Sequence, residues 1–312
     1  MRSIGRGRPG WSGAIGFLAA VAVLLACAAG ALAATGGAPT ATSSPPPPGS
    51  GSGAPATEPS AGTLSLLAAE TKPRKSFYFG FRYPRLTYTL GSTQPQNDIR
   101  IDVVDSAGEV VRTFYRQDLA PSVAYNVRWD GTTAEGKPAR NGRYSFRVGP
   151  QAAAPAARKA TPATKLELGF TLYGYTFPVL GPHDYGGAAA RFGAPRSGHT
   201  HQGQDVLARC GTPLVAARGG KVLYSQWDDA GGNYVVIDGR GTANDFVYMH
   251  LAEPSPLKPG EVVRTGQPIG IVGDTGDASG CHLHFEIWSG GWYRGGSPFD
   301  PLPELQKWDR YS

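Results

Sequence analysis

Short segments of alternating apolar and polar residues are the feature that most limits how this chain can fold. The sequences DIRIDVVD (98–105), RYSFRV (143–148) and HLHFEIW (282–288) all repeat with a period of two. Glycine turns such as Asn141-Gly142 lie between such segments. A period of two is typical of β-strands, because successive side chains of a strand point to opposite faces. The pattern therefore predicts an all-β protein.

Residues 1–33 have the composition of an export signal. A basic start is followed by an apolar run over residues 14–29 and by the small-x-small sequence Ala31-Leu32-Ala33. This order predicts a signal peptide cleaved after Ala33 and a protein that is secreted or extracytoplasmic. Two alternatives stay open, lipoprotein processing at Cys27 and retention of the apolar run as a membrane anchor, and both also predict export.

Composition divides the rest of the chain into two linkers and two folded domains. Residues 34–73 are rich in Pro, Gly, Ser and Thr, and residues 150–164 are rich in Ala and Pro. Segments of this kind lack the apolar side chains that form a core. We therefore predict a β-sandwich of immunoglobulin (Ig) type over residues 74–149 and a second domain over residues 165–312.

The segment 74–149 has short, closely spaced strands, which are typical of an Ig-like sandwich. Its sequences Trp129-Asp130-Gly131 and Asn141-Gly142 lie in a longer stretch that resembles the Ig-like domain of flagellar hook-capping proteins. We see no cluster of titratable residues here, so the segment is interpreted as a spacer or a binding module. Trp129 is predicted to be a core residue.

The net charge of +6 limits the classes of partner. We find no stripe of Lys and Arg interleaved with aromatic residues, and export also argues against a nucleic-acid partner. A basic exported protein is better suited to anionic cell-wall polymers, which the Ig-like domain is a candidate to contact. The sequence does not define an oligomeric state.

The histidines predict a metal centre in the second domain. His282 and His284 share one face of a strand, and Cys281 takes the opposite face. His201 and Asp205 are four residues apart, a spacing that lets them share a face in a helix or in a strand. Two histidines and one carboxylate match catalytic zinc sites, which use three protein ligands and leave the fourth position for water.

Three other interpretations of these histidines stay open. The same ligand types hold non-haem iron in oxygenases, although the spacing here is H-x3-D rather than H-x-D. A closed structural zinc site would use His250 or His282 as its fourth ligand. The H-x-H pair on its own is also compatible with a solvated strand face.

Three motifs in order resemble the LytM/lysostaphin-type zinc metallopeptidases. They are HQGQD (201–205), YMHL (248–251) and GCHLHFE (280–286), and the likeness extends over about residues 175–303. The resemblance implies a compact, mostly antiparallel β-fold of the duplicated hybrid motif type, with a groove over the metal. It also implies a zinc metalloendopeptidase that cuts peptide bonds in peptidoglycan stems or cross-bridges.

The resemblance also implies a role for each motif residue. His201, Asp205 and His284 correspond to the zinc ligands, and His250 and His282 correspond to the two catalytic histidines. We interpret His282 as the general base and His250 as the group that stabilises the oxyanion or protonates the leaving amine, although the two roles are interchangeable at this level.

Glu286 has the parity of His282 and His284 on the predicted strand. Two interpretations stay open for it, a carboxylate that holds a histidine ring and an exposed strand residue.

Two cysteines remain in the chain once the signal is removed, Cys210 and Cys281. An even pair in an oxidising compartment predicts a disulfide. The bond would close a loop of 71 residues, which the chain-entropy model values at roughly 4 kcal/mol.

Two functions from other classes stay open. The first is a catalytically silent wall-binding protein or regulator of other wall hydrolases. The second is an adhesion or assembly module in which the Ig-like domain is the functional part. The sequence does not predict which peptide bond is cut.

Overall fold

The structure, a computed structural model, describes residues 64–151 and 168–312. The predicted signal at 1–33 and most of both predicted linkers lie outside the described residues. Within the described ranges, no helix has both the length and the apolar character needed to span a membrane. The described residues are almost entirely strands and turns, which confirms the predicted all-β class.

The first domain is a sandwich of two sheets. One sheet has three strands in the order β1-β3-β6, and the other has five in the order β2-β8-β7-β4-β5. Neighbouring strands are antiparallel, except that β2 runs parallel to β8. The strands are β1 (Ser65–Lys72), β2 (Lys75–Phe77), β3 (Arg85–Gly91), β4 (Asn97–Asp105), β5 (Val110–Leu119), β6 (Ala124–Arg128), β7 (Gly142–Pro150) and β8 (Gly169–Tyr173).

Alternation along the strands builds the core of this sandwich. On β4, Ile99, Ile101 and Val103 are fully buried, as the period-two pattern predicts. Trp129 is 1% exposed, and its ring centroid lies 5.1 Å from that of Tyr144. The prediction that Trp129 is a core residue is therefore confirmed.

Two strands of this sandwich come from outside the predicted range 74–149. Strand β1 pairs with β3 over its whole length, with a bulge between Leu66 and Ala68. Strand β8 pairs with β7 across the stretch 152–167 that the structure does not describe. The bulge interrupts the alternation of β1, and β8 has only five residues, so neither gives a strong sequence signal.

The second domain is built on one large antiparallel sheet, in the order β17-β14-β15-β16-β19-β12-β9, with β20 paired to β19. Two small sheets, β10-β11 and β13-β18, flank it. The elements are β9 (His183–Asp184), a 3-10 helix (Ala188–Ala190), β10 (Pro195–Arg196), β11 (His199–Thr200), β12 (Gln204–Ala208), β13 (Pro213–Val215), β14 (Gly220–Asp228), β15 (Gly232–Gly239), β16 (Asn244–Leu251), β17 (Val262–Val263), β18 (Pro268–Ile271), β19 (His282–Ser289), β20 (Ser297–Phe299) and helix α1 (Leu302–Asp309).

Strand β19 divides its side chains between the core and the other face of the sheet. Leu283, Phe285 and Ile287 are at most 1% exposed and join the main core, to which helix α1 adds Trp308. The intervening residues, His282, His284 and Glu286, therefore lie on the opposite face. The predicted parity of the two histidines is confirmed.

The two domains contact each other through backbone hydrogen bonds at Thr265. This fully buried residue donates its amide to Phe79 O (3.0 Å) and accepts the amide of Phe81 at its carbonyl (2.8 Å). Its hydroxyl donates to Tyr78 O (2.8 Å) and accepts the amide of Gly219 (2.9 Å). Residues 78–81 of the first domain are thereby held as an extra strand-like segment against the second.

Arg218 also takes part in the contact between the two domains. Its guanidinium lies 4.1 Å from the ring centroid of Tyr78 and 5.0 Å from that of Tyr175. It donates to the carbonyl of Gly174 (2.6 Å) and to that of Arg240 (2.7 Å). The side chain is only 3% exposed, so a charged group is buried here on carbonyl and aromatic partners.

We expect Arg218→Met to lower the free energy of unfolding of the whole chain by about 2–4 kcal/mol. The substitution keeps an unbranched apolar stem but leaves the carbonyls of Gly174 and Arg240 without their charged donor. Chemical denaturation would measure the loss, with Arg209→Met, at an exposed arginine, as the matched control. A loss equal to that of the control would show that these contacts do not stabilise the junction.

The two cysteines of the predicted disulfide lie close enough to pair. Cys210 and Cys281 are paired in the structure, with Cα atoms 5.2 Å apart, within the usual 4.4–6.8 Å range of disulfides. Cys281 directly precedes His282, so the bond would anchor the start of strand β19.

We expect the denatured, unreduced mature protein to titrate with no free thiol. Replacing both cysteines with alanine should lower the free energy of unfolding by about 4 kcal/mol, since the loop spans 71 residues. Two reactive thiols in the titration would refute the disulfide.

Candidate metal centre

Three side chains from two paired strands and the preceding loop converge on one point. Asp205 on β12 lies directly opposite His284 on β19 in the antiparallel register. His201 reaches the same point from the loop before β12. His201 Nε2, Asp205 Oδ1 and His284 Nδ1 are each 2.9 Å from the other two. The structure thus brings together the three residues predicted as metal ligands.

Contacts on the outer side of each ring define which nitrogen carries the proton. His201 Nδ1 lies 2.8 Å from Arg191 O, and His284 Nε2 lies 3.0 Å from Glu286 Oε1. Both partners are acceptors, so these outer nitrogens are the donors. In a neutral ring the inner nitrogen then carries a lone pair. Two lone pairs and a carboxylate oxygen therefore face one another, an arrangement consistent with a metal cation.

The electrostatics of the cluster favour positive charge. Burial lowers the pKa of His284, but its hydrogen bonds to Asp205 and Glu286 outweigh burial and raise that pKa to about 9. Burial raises the pKa of Asp205, but hydrogen bonds from His201 and His284 bring it well below its usual range. The negatively charged carboxylate oxygens of Asp205 and Glu286 thus dominate the electrostatic potential at the point where the three side chains meet.

Two neighbours shape the Asp205 side of the cluster. Arg196 Nη2 lies 3.3 Å from Asp205 Oδ2, so the second carboxylate oxygen is occupied and Oδ1 faces the histidines. At Gly203, a Cβ atom would lie 2.4 Å from Phe285 O and 2.9 Å from the His284 ring. Only glycine therefore lets the loop before β12 pass so close to the ring.

His250 and His282, the two predicted catalytic residues, lie beside this cluster with ring centroids 4.6 Å apart. His282 Nε2 is 3.6 Å from Asp205 Oδ1. The outer nitrogens again meet carbonyls, since His282 Nδ1 lies 2.8 Å from Gly280 O and His250 Nδ1 lies 2.8 Å from Thr275 O. In its neutral form, each of the four histidine rings of the centre thus holds its proton on the outer nitrogen and leaves a lone pair on the other.

His250 has two features that set it apart. Its φ of +62° is uncommon for a residue with a side chain, and such strain is concentrated at functional positions. Burial, together with the neighbouring His282, lowers the pKa of its ring to about 4, although the hydrogen bond to Thr275 O acts in the opposite direction. His250 is therefore neutral at pH 7.

Glu286 is a buried partner of the cluster. It is 3% exposed, and Oε2 accepts hydrogen bonds from the indoles of Trp288 (2.6 Å) and Trp292 (3.2 Å). The interpretation of Glu286 as an exposed strand residue is therefore wrong. Strand parity places Trp288 on the same face as Glu286, so the sequence alone can predict that the two residues are neighbours. Trp292 lies in the loop after β19, and no sequence pattern predicts its contact with Glu286.

The remaining histidines lie outside the cluster. His183 Nδ1 is 2.9 Å from Gly181 O, and Nε2 is 3.2 Å from Asp309 Oδ2. His199 is exposed on strand β11, and Nδ1 lies 3.2 Å from Ser197 O.

Comparison with known proteins assigns both domains. Residues 199–301 match the model of peptidase family M23, and residues 85–153 match the model of the FlgD Ig-like domain. The first match contains all three candidate metal ligands and both neighbouring histidines. The second contains most strands of the sandwich.

Similar proteins are found among peptidoglycan endopeptidases. Peptidoglycan DD-endopeptidase ShyC of Vibrio cholerae is 38% identical over 108 residues, which cover 34% of this chain and 24% of that protein. Lysostaphin of Staphylococcus simulans is 34% identical over 112 residues, which cover 35% of this chain and 22% of the relative. The chain thus spans about a quarter of the length of these relatives.

A similar solved structure is the catalytic domain of lysostaphin from Staphylococcus simulans. It is 31% identical, and the alignment covers 43% of this chain and 90% of that chain, with a TM-score of 0.33. On the family matches, the chain combines a FlgD Ig-like domain with a domain that belongs to peptidase family M23.

Proposed function

We propose that this protein is an exported zinc metalloendopeptidase that hydrolyses peptide bonds in peptidoglycan stems or cross-bridges. The observation that carries the proposal is the set of four histidines whose outer nitrogens all contact acceptor oxygens, which leaves their other nitrogens free to bind a cation or a proton. Support also comes from the M23 domain and from relatives that are named as peptidoglycan endopeptidases.

The donor set fits zinc. Zinc prefers nitrogen and oxygen ligands in a tetrahedral arrangement, at about 2.0–2.1 Å, so that its ligands lie roughly 3.3 Å from each other. The three donor atoms are 2.9 Å apart, and a shift of a few tenths of an ångström would accommodate the ion. Three protein ligands are the number that catalytic zinc sites use, with the fourth position left for water.

When bound, zinc supplies an activated water and polarises the scissile carbonyl. The protein residues then have to hold the ligands in place and move protons. Arg191 O and Glu286 keep the protons of His201 and His284 on the outer nitrogens, so that the inner nitrogens stay basic. The hydrogen bond from Arg196 keeps Asp205 Oδ1 directed at the two rings.

His282 is the better candidate for the general base. Its Nε2 is an acceptor in the resting protein and lies 3.6 Å from a ligand oxygen. The pKa of about 4 makes His250 a poor proton acceptor at neutral pH, which supports the assignment of the base to His282.

His250 is then assigned to the oxyanion or to the leaving amine. Both roles require a proton on Nε2, because Nδ1 contacts Thr275 O. We propose that His250 receives this proton from the neighbouring His282 only as negative charge develops on the substrate, because its pKa of about 4 makes the resting ring a poor proton acceptor.

The test is digestion of purified peptidoglycan by the full chain, read by mass spectrometry with and without a zinc chelator. We expect chelator-sensitive peptide fragments from the wild type, which would also identify the bond that is cut. His284→Ala should lose both zinc and activity, because it removes a ligand. His282→Ala should retain zinc and lose at least a hundredfold in rate.

Two outcomes would contradict this proposal in different ways. Near-normal cleavage by His282→Ala would refute the assignment of the base. Intact cross-links from wild-type protein that is loaded with zinc would refute the peptidase and favour a silent wall-binding protein or regulator.

Glu286→Gln should weaken zinc binding by about 10–100-fold without unfolding the protein. The amide is the same size as the carboxylate, but it removes the negative charge that holds the Nε2 proton of His284. Competition with a chromogenic chelator would measure the affinity. Glu253→Gln, at an exposed glutamate, is the matched control, and equal affinities for the two variants would contradict the role of Glu286.

A further inference from the structure

The Ig-like domain has a pocket of its own, with a volume of about 260 Å³. It lies between β5 and β6, which are the edge strands of the two sheets. Its lining residues are Tyr83, Arg112, Phe114, Arg128, Asp130 and Thr132. The volume is below the roughly 300–1,000 Å³ of pockets for drug-sized ligands, so the pocket suits a small group such as the terminal residue of a peptide.

Neither arginine of this pocket forms an ion pair with a described residue, although Arg112 Nη1 donates a hydrogen bond to Thr133 O (3.1 Å). Within the described ranges, no carboxylate oxygen lies within 4.0 Å of the guanidinium nitrogens of Arg112 or Arg128. In addition, Arg85 on β3 lies directly opposite Arg128 on β6 in the strand register. Like charges in this arrangement destabilise a sheet, and an anion bound beside Arg128 would remove that cost.

The other walls of the pocket favour a peptide over a simple anion. Tyr83 and Phe114 offer aromatic surface to an apolar side chain. Asp130 accepts the amide and the hydroxyl of Thr132 through Oδ1 (3.0 and 2.6 Å). Its carboxylate places a negative charge beside two guanidiniums, which suits an amide N–H or an amine that lies next to the bound anion.

The net charges of the two domains also favour an anionic ligand at this pocket. Residues 64–151 carry 13 Lys and Arg against 8 Asp and Glu, a net charge of +5. Residues 168–312 carry 11 against 14, a net charge of −3. The basic character of the described chain is therefore a property of the Ig-like domain, and it favours an anionic ligand there.

We propose that this pocket binds the free carboxylate end of a peptide, with Arg112 and Arg128 on the carboxylate and Asp130 on the adjacent N–H. The identification of that peptide as a peptidoglycan stem rests on the proposed function. Guanidinium groups are the preferred partners of carboxylates, because their paired N–H donors match the two oxygens.

The pocket is linked to the M23 domain through one of its own walls. The Arg264 guanidinium lies 4.8 Å from the ring centroid of Tyr83, and the adjacent residue Thr265 binds segment 78–81 through its backbone. A peptide end held in the pocket is thus held at a fixed place relative to the metal centre. The pocket would therefore act as a second attachment point for the wall polymer.

The test is calorimetric titration of the full chain with L-Lys-D-Ala-D-Ala and with its C-terminal amide. A chelator in all solutions prevents both cleavage and binding of the carboxylate to a metal. We expect the acid to bind and the amide to bind at least tenfold more weakly. Arg128→Gln should weaken binding of the acid at least tenfold, and Arg143→Gln, an exposed arginine of the same domain that does not line the pocket, should leave it unchanged.

A charge reversal separates this role from a structural one. Arg128→Glu should abolish binding and yet leave the melting temperature equal or higher, because it replaces a repulsion with Arg85 by an attraction. Wild-type affinity in Arg128→Glu would overturn the proposal. Displacement of the peptide by an equal concentration of inorganic phosphate would also overturn it, since the site would then be specific only for anions.

The peptide-binding test of the pocket can succeed or fail independently of the proposed peptidase function. Binding that is lost in Arg128→Glu while wild-type protein fails to cleave peptidoglycan would keep the pocket and refute the peptidase. Cleavage by wild-type protein that does not bind the peptide acid would refute the pocket alone.

Discussion

The register between strands β12 and β19 is the constraint on which the rest of the second domain depends. Antiparallel pairing places Asp205 directly opposite His284, so that a carboxylate and an imidazole meet on one face of the sheet. A slip by one residue would move His284 into the core and Leu283 onto the site. Core packing of Leu283 and Phe285 therefore maintains the metal centre, because the same alternation serves both faces.

A second constraint is the uniform protonation of the four histidines. Each ring meets an oxygen acceptor on its outer side, whether a backbone carbonyl or the Glu286 carboxylate. These contacts come from three segments, since Thr275 and Gly280 lie in the same loop between β18 and β19. In neutral rings they leave acceptors rather than donors at the centre. Two acceptor nitrogens that lie 2.9 Å apart, as those of His201 and His284 do, repel each other unless a proton or a cation lies between them. The electrostatics of the protein thus point in the same direction as its family.

The parts of this structure that a sequence can predict are those governed by local geometry. Strand parity assigns His282, His284 and Glu286 to one face, and the turn glycines predict the all-β class. The hydrogen-bond partners on the outer side of the histidine rings and of Glu286 cannot be predicted in this way. Arg191 O and the Trp292 indole come from loops whose paths depend on tertiary packing, so their contacts have no local signature. Strands β1 and β8 cannot be predicted for a related reason. Each forms a strand because it pairs with a neighbour, β3 and β7 respectively, and its own composition gives only a weak strand signal.

The junction between the domains changes how the Ig-like domain has to be interpreted. A spacer on a flexible tether would leave Tyr78 and Phe79 in solvent, whereas both are buried against the M23 domain. Thr265 binds the segment by backbone hydrogen bonds that do not depend on side-chain identity at residues 79 and 81. Because strand β8 ends at Tyr173, only four residues separate Leu172 in the core of the sandwich from Phe177 in the core of the M23 domain. A peptide end bound in the pocket proposed above would therefore be held on a domain that is packed against the M23 domain rather than loosely tethered to it.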